Sequence, residues 1–431
     1  MTADPAWIEK SLTAARPRAV AALLRYFRDL DRAEEAFQEA SLKALSAWPK
    51  NGPPRDPTAW LIFVGRNAGI DAVRKVARHT ELPDEDAISD LSDAEADMAD
   101  RLDDGHYRDD ILRLLFVCCH PDLPATQQIA LALRIVSGLS VARIARAFLV
   151  SDSAMEQRIT RAKAKIGRAG VAFETPDADA RAARLGAVGA MIYLVFNEGY
   201  SARASDLAGG GKDEDARRSA ALFAEEAIRL ARLLTGLFPS EPEVMGLLSL
   251  LLLQHARSRA RFDAKGEIVL LEDQDRGLWD RTMIAEGLAM IDKAIRHRAP
   301  GPYQIQAAIA ALHARAQRPE LTDWAGIDQL YATLERIQPS PVVSLSRAVA
   351  THKLHGAQAA LAAIAPLADR LAGYFYFHGL RGGLLRELGR IDEAREAFDR
   401  AIALATTTAE ASHIRQHLDG LCAAPQAPKT R

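Results

Sequence analysis

Apolar residues recur at helical spacing from the start of the chain: Val20, Leu23, Leu24 and Phe27, then Ala33, Phe37, Ala40 and Leu42. That period predicts helix over residues 7–48, because every third or fourth side chain falls on one face. The run Trp48-Pro49-Lys50-Asn51-Gly52-Pro53-Pro54-Arg55-Asp56-Pro57 is punctuated by Pro and Gly and predicts a stiff loop. Thr58 can cap the next helix, which is expected to run to about Arg78. Residues 81–104 hold few large apolar side chains and predict a flexible linker. Helical periodicity returns over 109–168, breaks around Glu174-Thr175-Pro176-Asp177, and continues in an Ala/Leu-rich stretch from about 180 to 421. One segment departs from it: Arg261 to Leu271 predicts a short β-hairpin or extended loop turning near Gly266. The pattern as a whole predicts an all-α fold.

A length of 431 residues exceeds one ordinary core, so several domains are expected. The breaks place them at 1–80, 109–170 and 180–425, with 81–108 as the linker. Hydrophobic residues make up 48% and charged residues 26%, as in a soluble globular chain. The cysteines, Cys118, Cys119 and Cys422, are too few for a disulfide framework, which points to a reducing compartment. No basic segment followed by an apolar one opens the chain, so no secretion signal is expected. The longest apolar run, Val244 to Leu253, is interrupted by Gly246 and Ser249; it is too short to span a bilayer and predicts a buried core helix. The expected location is cytoplasmic, with no membrane association.

Charge refines this picture, because the net charge of −2 hides a segregation. Residues 1–80 carry thirteen Lys/Arg against nine Asp/Glu, 81–105 carry eleven acids and one Arg, and 106–170 carry ten basic residues against five acids. Two mildly basic blocks thus flank an acidic segment, an arrangement compatible with phosphate attraction but weak by itself.

The sharpest local pattern runs from Ser140 to Lys163. Ser140 can cap one helix, whose Ile144, Ala145 and Phe148 face inward; Ala145 is small enough for a second helix to cross closely. Ser151 can cap that second helix, with Asp152 in its first turn. Met155, Ile159, Ala162 and Ile166 make its buried stripe, leaving Glu156, Gln157, Thr160, Arg161 and Lys163 outward. This is a helix-turn-helix with base-capable groups on its second helix; the plainer reading is a helical hairpin with a solvated face.

The segment from Gln127 to Lys165 resembles region 4 of extracytoplasmic-function-type sigma factors, the part that binds the promoter −35 element. Asp31-Arg32-Ala33-Glu34-Glu35-Ala36-Phe37-Gln38-Glu39-Ala40 resembles the region 2 helix that docks on the polymerase clamp, and Trp60 to Lys75 resembles the helix that opens and reads the −10 element. The two motifs stand in the family's order. The resemblance implies partners: bacterial core RNA polymerase and promoter DNA, duplex at −35 and melted at −10. In that frame Glu35, Gln38, Glu39 and Leu42 form the polymerase-binding face. Glu156, Gln157, Thr160 and Arg161 are base contacts, and Arg158, Lys163 and Lys165 phosphate contacts. Lys50, Asn51, Arg55, Arg66, Asn67, Arg74, Lys75 and Arg78 serve the melted strand. Trp60 can stack on a base but reads better as core, beside Phe63 and Val64. The acidic linker would mimic a phosphate backbone in the channel that later holds RNA; the alternative is a solvated spacer.

The rest of the chain resembles a subgroup of that family carrying a C-terminal extension. Leu112 to Pro121, Tyr193 to Tyr200, and Leu270-Leu271-Glu272-Asp273-Gln274-Asp275-Arg276 carry this resemblance. Over 374–405, Gly379, Gly383, Leu388-Gly389, Ala394, Phe398 and Ala401 fall where a tetratricopeptide repeat (TPR) places its packing residues, with weaker helix pairs at 303–337 and 341–370. Such an extension implies a regulator of the sigma regions and a protein or ligand partner of its own.

Other signals are weak. Adjacent Cys118 and Cys119 point to different faces of a helix and read as buried thiols, with no metal expected. Gly209-Gly210-Gly211-Lys212 lacks the spacing of a phosphate-binding loop, and Asn197-Glu198-Gly199-Tyr200 reads equally as a site or a helix stop. No cofactor and no catalytic constellation is expected. The rival functions are a conventional helix-turn-helix regulator acting without polymerase and a TPR-type scaffold.

Overall fold

The computed structural model describes residues 5–52, 54–77, 104–120, 122–148, 150–168, 185–197, 214–263, 267–405 and 408–423. The chain divides into two compact units, Met1–Leu194 and Val195–Arg431. Regular structure among the described residues is helical apart from one isolated antiparallel bridge, Phe262 with Ile268. That bridge, with Val269 N–H donating to the Arg261 carbonyl at 2.9 Å, lies in the segment expected as a hairpin or extended loop between Arg261 and Leu271; residues 264–266, around the expected turn, lie outside the described residues.

The first unit opens with α1 (Pro5–Phe27), α2 (Leu30–Asn51) and α3 (Pro57–Ala77). The helix expected over 7–48 is therefore two helices. Arg28 takes a left-handed φ of 53°, and the Asp29 side chain accepts from Arg32 N–H at 3.0 Å, starting α2 afresh. Helical spacing continues across this break, which is why periodicity alone missed it. α2 also outlasts its prediction, running through Pro49 to Asn51 before Gly52 turns at φ 84°. α3 is capped by Asp56, not Thr58: the Asp56 carboxylate accepts from the N–H groups of Thr58 and Ala59. A Cβ on Gly65 would lie 2.9 Å from the Ala36 carbonyl, and one on Gly69 would meet the Phe27 ring, so two glycines let α3 close on α2 and α1. Leu23, Leu24, Ala33, Phe37, Trp48 and Leu61 fill the core between them.

α4 (Asp104–Cys118) packs on α1, and α5 (Ala125–Ile135), α6 (Val141–Ala147) and α7 (Asp152–Arg168) follow. The last residues of the expected linker, 104–108, are already the first turns of α4; residues 78–103 lie outside the described residues. Residues 185–197 form α8.

The second unit is a run of helices, each packed on the next: α9 (Glu214–Leu237), α10 (Pro242–His255), α11 (Arg281–Ile295), α12 (Pro302–Arg315), α13 (Trp324–Ile337), α14 (Pro341–His355), α15 (Ala357–Ile364), α16 (Phe375–Glu387), α17 (Ile391–Leu404) and α18 (Thr408–Ala423). α10 contains the longest apolar run and is buried nearly all round, as predicted. A Cβ on Gly246 would come within 2.6 Å of Gln304 N, so α12 approaches α10 backbone to backbone. Across α10, Ser249 Oγ donates to the Gly287 carbonyl of α11 at 2.7 Å. The α16–α17 pair matches the expected hairpin with one correction. Gly382, not Gly383, faces the Phe398 ring; Gly383 looks into open space. Gly389 supplies the left-handed turn between the two helices at φ 73°.

Candidate nucleic-acid interface

α6 and α7 form the expected helix pair. Ser140 Oγ accepts from Arg143 N–H, and Ser151 Oγ accepts from Ala154 N–H, each at 3.3 Å, so both helices begin at side-chain caps. Val150 N–H donates to the Ala145 carbonyl and ties the turn shut. Ile144, Ala145, Met155, Ile159, Ala162 and Ile166 are buried, while Phe148 is half-buried. A helix pinned along one stripe must present the other, and Glu156, Gln157, Thr160 and Arg161 are exposed there, with Arg158 half-buried.

Two of the expected phosphate contacts are otherwise engaged. Lys165 Nζ donates to the Asp122 carbonyl. Lys163 Nζ lies 2.6 Å from Asp31 and 2.9 Å from Glu34, both on α2. Burial lowers the Lys163 pKa, but its hydrogen bonds to the two carboxylates outweigh that and raise it above the ordinary lysine value. Glu34 also faces Arg16 at 3.3 Å and Arg134 at 3.0 Å, and Arg16 donates to the carbonyls of Ile135 and Arg134 at the end of α5. Gly138, at φ 71°, makes room for Arg16: a Cβ there would lie 2.7 Å from its Cδ. Burial lowers the Arg16 pKa, Arg134 lowers it further, and Glu34 opposes both.

Sequence reasoning missed this cluster. The signal was an Arg on the apolar side of α1 and a Glu beside Ala33 and Phe37: a charge on a buried face must be paired.

On α2, Glu35, Gln38, Glu39 and Leu42 share an exposed face, and Leu45, 53% exposed, extends it by one more turn. Lys50, Asn51 and Arg55 are exposed around the α2–α3 loop, and Arg66 and Asn67 are exposed on α3. The Arg66 guanidinium sits 4.7 Å over the Tyr26 ring. Arg74 and Lys75 lie on α3, but their side chains, like Arg78, fall outside the described residues. Trp60 is half-buried with its ring 5.3 Å from that of Trp48, which makes it part of an aromatic cluster.

Cys118 and Cys119 are buried, and burial pushes the Cys119 thiol up to about 12 and Cys118 well above the usual thiol value. Thiols held protonated are poor metal ligands and nucleophiles. No group of three His, Cys, Asp or Glu among the described residues is arranged to hold a metal ion, and no described helix is long and apolar enough to cross a membrane. Gly209 to Lys212 and Glu198 to Tyr200 lie outside the described residues.

In the second unit the Leu270 to Arg276 segment is a tie between elements. Gln274 Nε2 donates to the Val269 carbonyl, Asp275 accepts from Gly277 N–H, and Arg276 Nη1 donates to the carbonyls of His313 and Ala316 at the end of α12. A guanidinium there satisfies orphan carbonyls and complements the helix dipole.

Comparison with known families agrees with the order of these elements. Residues 12–79 match sigma-70 region 2, and residues 113–166 match sigma-70 region 4. The chain belongs to the sigma-70 family. α1–α3 are thus its region 2, and α5–α7, with the end of α4, its region 4. These regions are those of a DNA-binding transcription factor of the sigma type. Residues 184–295, from α8 through α11, match a family of unknown function, DUF6596. An uncharacterized protein of Rhizobium meliloti (strain 1021) is 68% identical over 422 residues, covering 98% of this chain and 97% of its own. The sigma regions and the extension therefore occur together in that relative.

Proposed function

We propose that the protein is an extracytoplasmic-function-type sigma factor that binds core RNA polymerase in the cytoplasm, reads a −35 element with α7 and a melted −10 element with α3. The observation that carries this reading is the pairing, in one compact unit, of the capped helix pair whose outer ridge is Glu156, Gln157, Thr160 and Arg161 with an α2 face bearing Glu35, Gln38, Glu39 and Leu42. The α7 ridge suits base edges in a major groove. The α2 face, acidic with two exposed leucines, suits a basic helical partner such as the polymerase clamp. Arg158 and the α3 residues Arg66 and Asn67, with Lys50, Asn51 and Arg55 beside them, contribute the phosphate and single-strand contacts, as do Arg74, Lys75 and Arg78.

The extension is read as a TPR-like regulator. Successive helices that each pack on the next, and the Gly382–Phe398 contact of α16 and α17, support a repeat-type surface able to hold a peptide or ligand.

The test is transcription in vitro with the full chain and a cognate core polymerase on a genomic promoter library. Promoter-specific transcripts absent with core alone are expected, and Arg161→Ala should relax selection at one −35 position, about 1–3 kcal/mol of discrimination. Palindromic duplex binding without any transcript would replace this reading with a conventional regulator.

A further inference from the structure

A polar contact between region 2 and region 4 is made by residues with two jobs. Lys163 stands on the outer edge of α7, and its side chain is 17% exposed because Asp31 and Glu34 of α2 hold it. Glu34 is 5% exposed and meets three cations, each from a different helix: Arg16 on α1, Arg134 on α5 and Lys163 on α7. A buried carboxylate so placed favours closure only while its cations stay, since an unpaired charge left in the seam is costly.

To the edge of α7 these two carboxylates offer what a DNA backbone offers, a short row of anionic oxygens. The space between the helices is a cavity of about 380 Å³ lined by Asp31, Glu34, Arg134, Glu156, Thr160 and Lys163. Two of the base-reading candidates therefore open onto a cavity walled by α2. A duplex needs far more room than this, because a recognition helix must enter a major groove about 12 Å wide.

We propose that Asp31 and Glu34 act as an internal stand-in for DNA phosphates. They hold α7 against α2 in the protein free of DNA, and α7 reads a duplex only after Lys163 and Arg134 exchange these carboxylates for phosphate oxygens. The exchange is between like partners: each cation trades one anionic oxygen for another, and duplex DNA supplies them at about one charge per 1.7 Å of axis. The clamp itself stands apart from any reading of α7, whereas its role as a DNA mask rests on α7 being the −35 helix.

The experiment uses the full chain without polymerase, labelled with a dye pair at Arg32→Cys on α2 and Arg168→Cys at the end of α7, both exposed positions. Cys118 and Cys119 are buried and unreactive, and Cys422→Ser removes the remaining thiol. Energy transfer reports closure, and titration with a random-sequence duplex of about 30 base pairs reports access. Transfer should be high in the parent and should fall in Lys163→Met and Asp31→Asn. Asp31→Asn and Glu34→Gln should also bind the duplex at least about tenfold more tightly than the parent, which a merely structural role for these carboxylates would not produce. Asp31 is 65% exposed, so its variant reports even where Glu34→Gln does not fold.

Unchanged transfer in all three variants, or a parent that binds the duplex with Asp31→Asn and Glu34→Gln binding it no more tightly, overturns the proposal. Transfer that falls as expected, with no duplex bound by any form, supports the clamp and removes the DNA-reading role of α7. Duplex binding by every form with transfer unmoved removes the clamp and leaves that role intact.

Discussion

In the N-terminal unit, helices from two sequence regions meet across a buried charge cluster; in the C-terminal unit, the closest approaches of α10 to its neighbours are across glycine, beside side-chain ties such as Ser249 to the Gly287 carbonyl. The seam between α1–α2 and α5–α7 is built on Glu34 with Arg16, Arg134 and Lys163. The seam between α10 and its neighbours closes on Gly246 against the Gln304 backbone and Gly287 against Leu253, with the Glu243 carboxylate capping the start of α12 at Tyr303 N–H. Close apolar packing has no substitute partner, so parting it exposes surface to water with nothing gained. A charged seam does have a substitute, since any anion of suitable spacing satisfies the same cations. On the proposed exchange, the first unit has a seam that an outside anion can open, and the second has none of that kind around Gly246 and Gly287.

Glu34→Ala strikes this comparison hardest. It takes the shared buried carboxylate from three cations, and although Lys163 keeps Asp31 and Arg16 keeps its carbonyl acceptors, loss of one partner from such a cluster costs about 3 kcal/mol or more. The loss should appear as opening along the seam, measured by hydrogen exchange: α7 loses protection while α1–α3 keep theirs. Equal loss of protection throughout the unit would show that charge holds a core, not a clamp. Gly246→Ala is the matching change in the second unit. Its Cβ would meet backbone nitrogen, which cannot rotate away, so about 3 kcal/mol or more is expected. Here protection should fall across α10, α11 and α12 together, because nothing local can yield.

Much of this was legible beforehand. The all-helical character, the buried run of α10, the break from helix after Arg261 and the α6–α7 pair with its two serine caps all follow from period, length and cap chemistry, which act within a few residues. What escaped was set by tertiary geometry. The Arg28 break hides because two short helices can share one period, and Gly382 displaces Gly383 because a hairpin's contact depends on its crossing point. Among site residues, the exposed ridge of α7 was legible from its own buried stripe. The engagement of Lys163 was not, because its partners, Asp31 and Glu34, come from a distant helix.

Acid and alkali should part the two units in opposite senses. In the second, His313 is half-buried, and burial with the nearby Arg257 and Arg276 charges lowers its pKa to about 4. As pH falls below 6.5 the unfolded chain takes up this proton before the folded one, so stability falls from pH 6.5 down to about 4. The loss should be about 3 kcal/mol, with His413 and His417, also lowered chiefly by burial, acting in the same direction. Denaturation midpoints should therefore drop in acid, and His313→Asn should drop less. In the first unit the raised Lys163 pKa has the other sign. Its contribution is complete below the ordinary value of 10.5 and disappears only as pH climbs through the raised value. Transfer across the α2–α7 seam should then fall on the alkaline side, and Lys163→Arg should resist that fall.

The smallest expected effect tests whether the first unit opens as rigid pieces. Ser151→Ala removes the side-chain acceptor for Ala154 N–H at the start of α7, and Asp280→Ala removes the acceptor for Thr282 and Met283 N–H at the start of α11. Each cap is worth about 1 kcal/mol. In α11 that cost is spread through the packed helices around Gly287, so it should move the unfolding midpoint and little else. In α7 the cap lies beside the exposed ridge of Glu156 and Gln157, and the helix is held to α2 by Lys163, nearer its other end. A frayed first turn there should leave the Lys163 pairs closed while it loosens Glu156 and Gln157. Ser151→Ala should thus lower −35 affinity a few-fold with energy transfer across the seam unchanged; a fall in both would mean that α7 and the clamp move as one body.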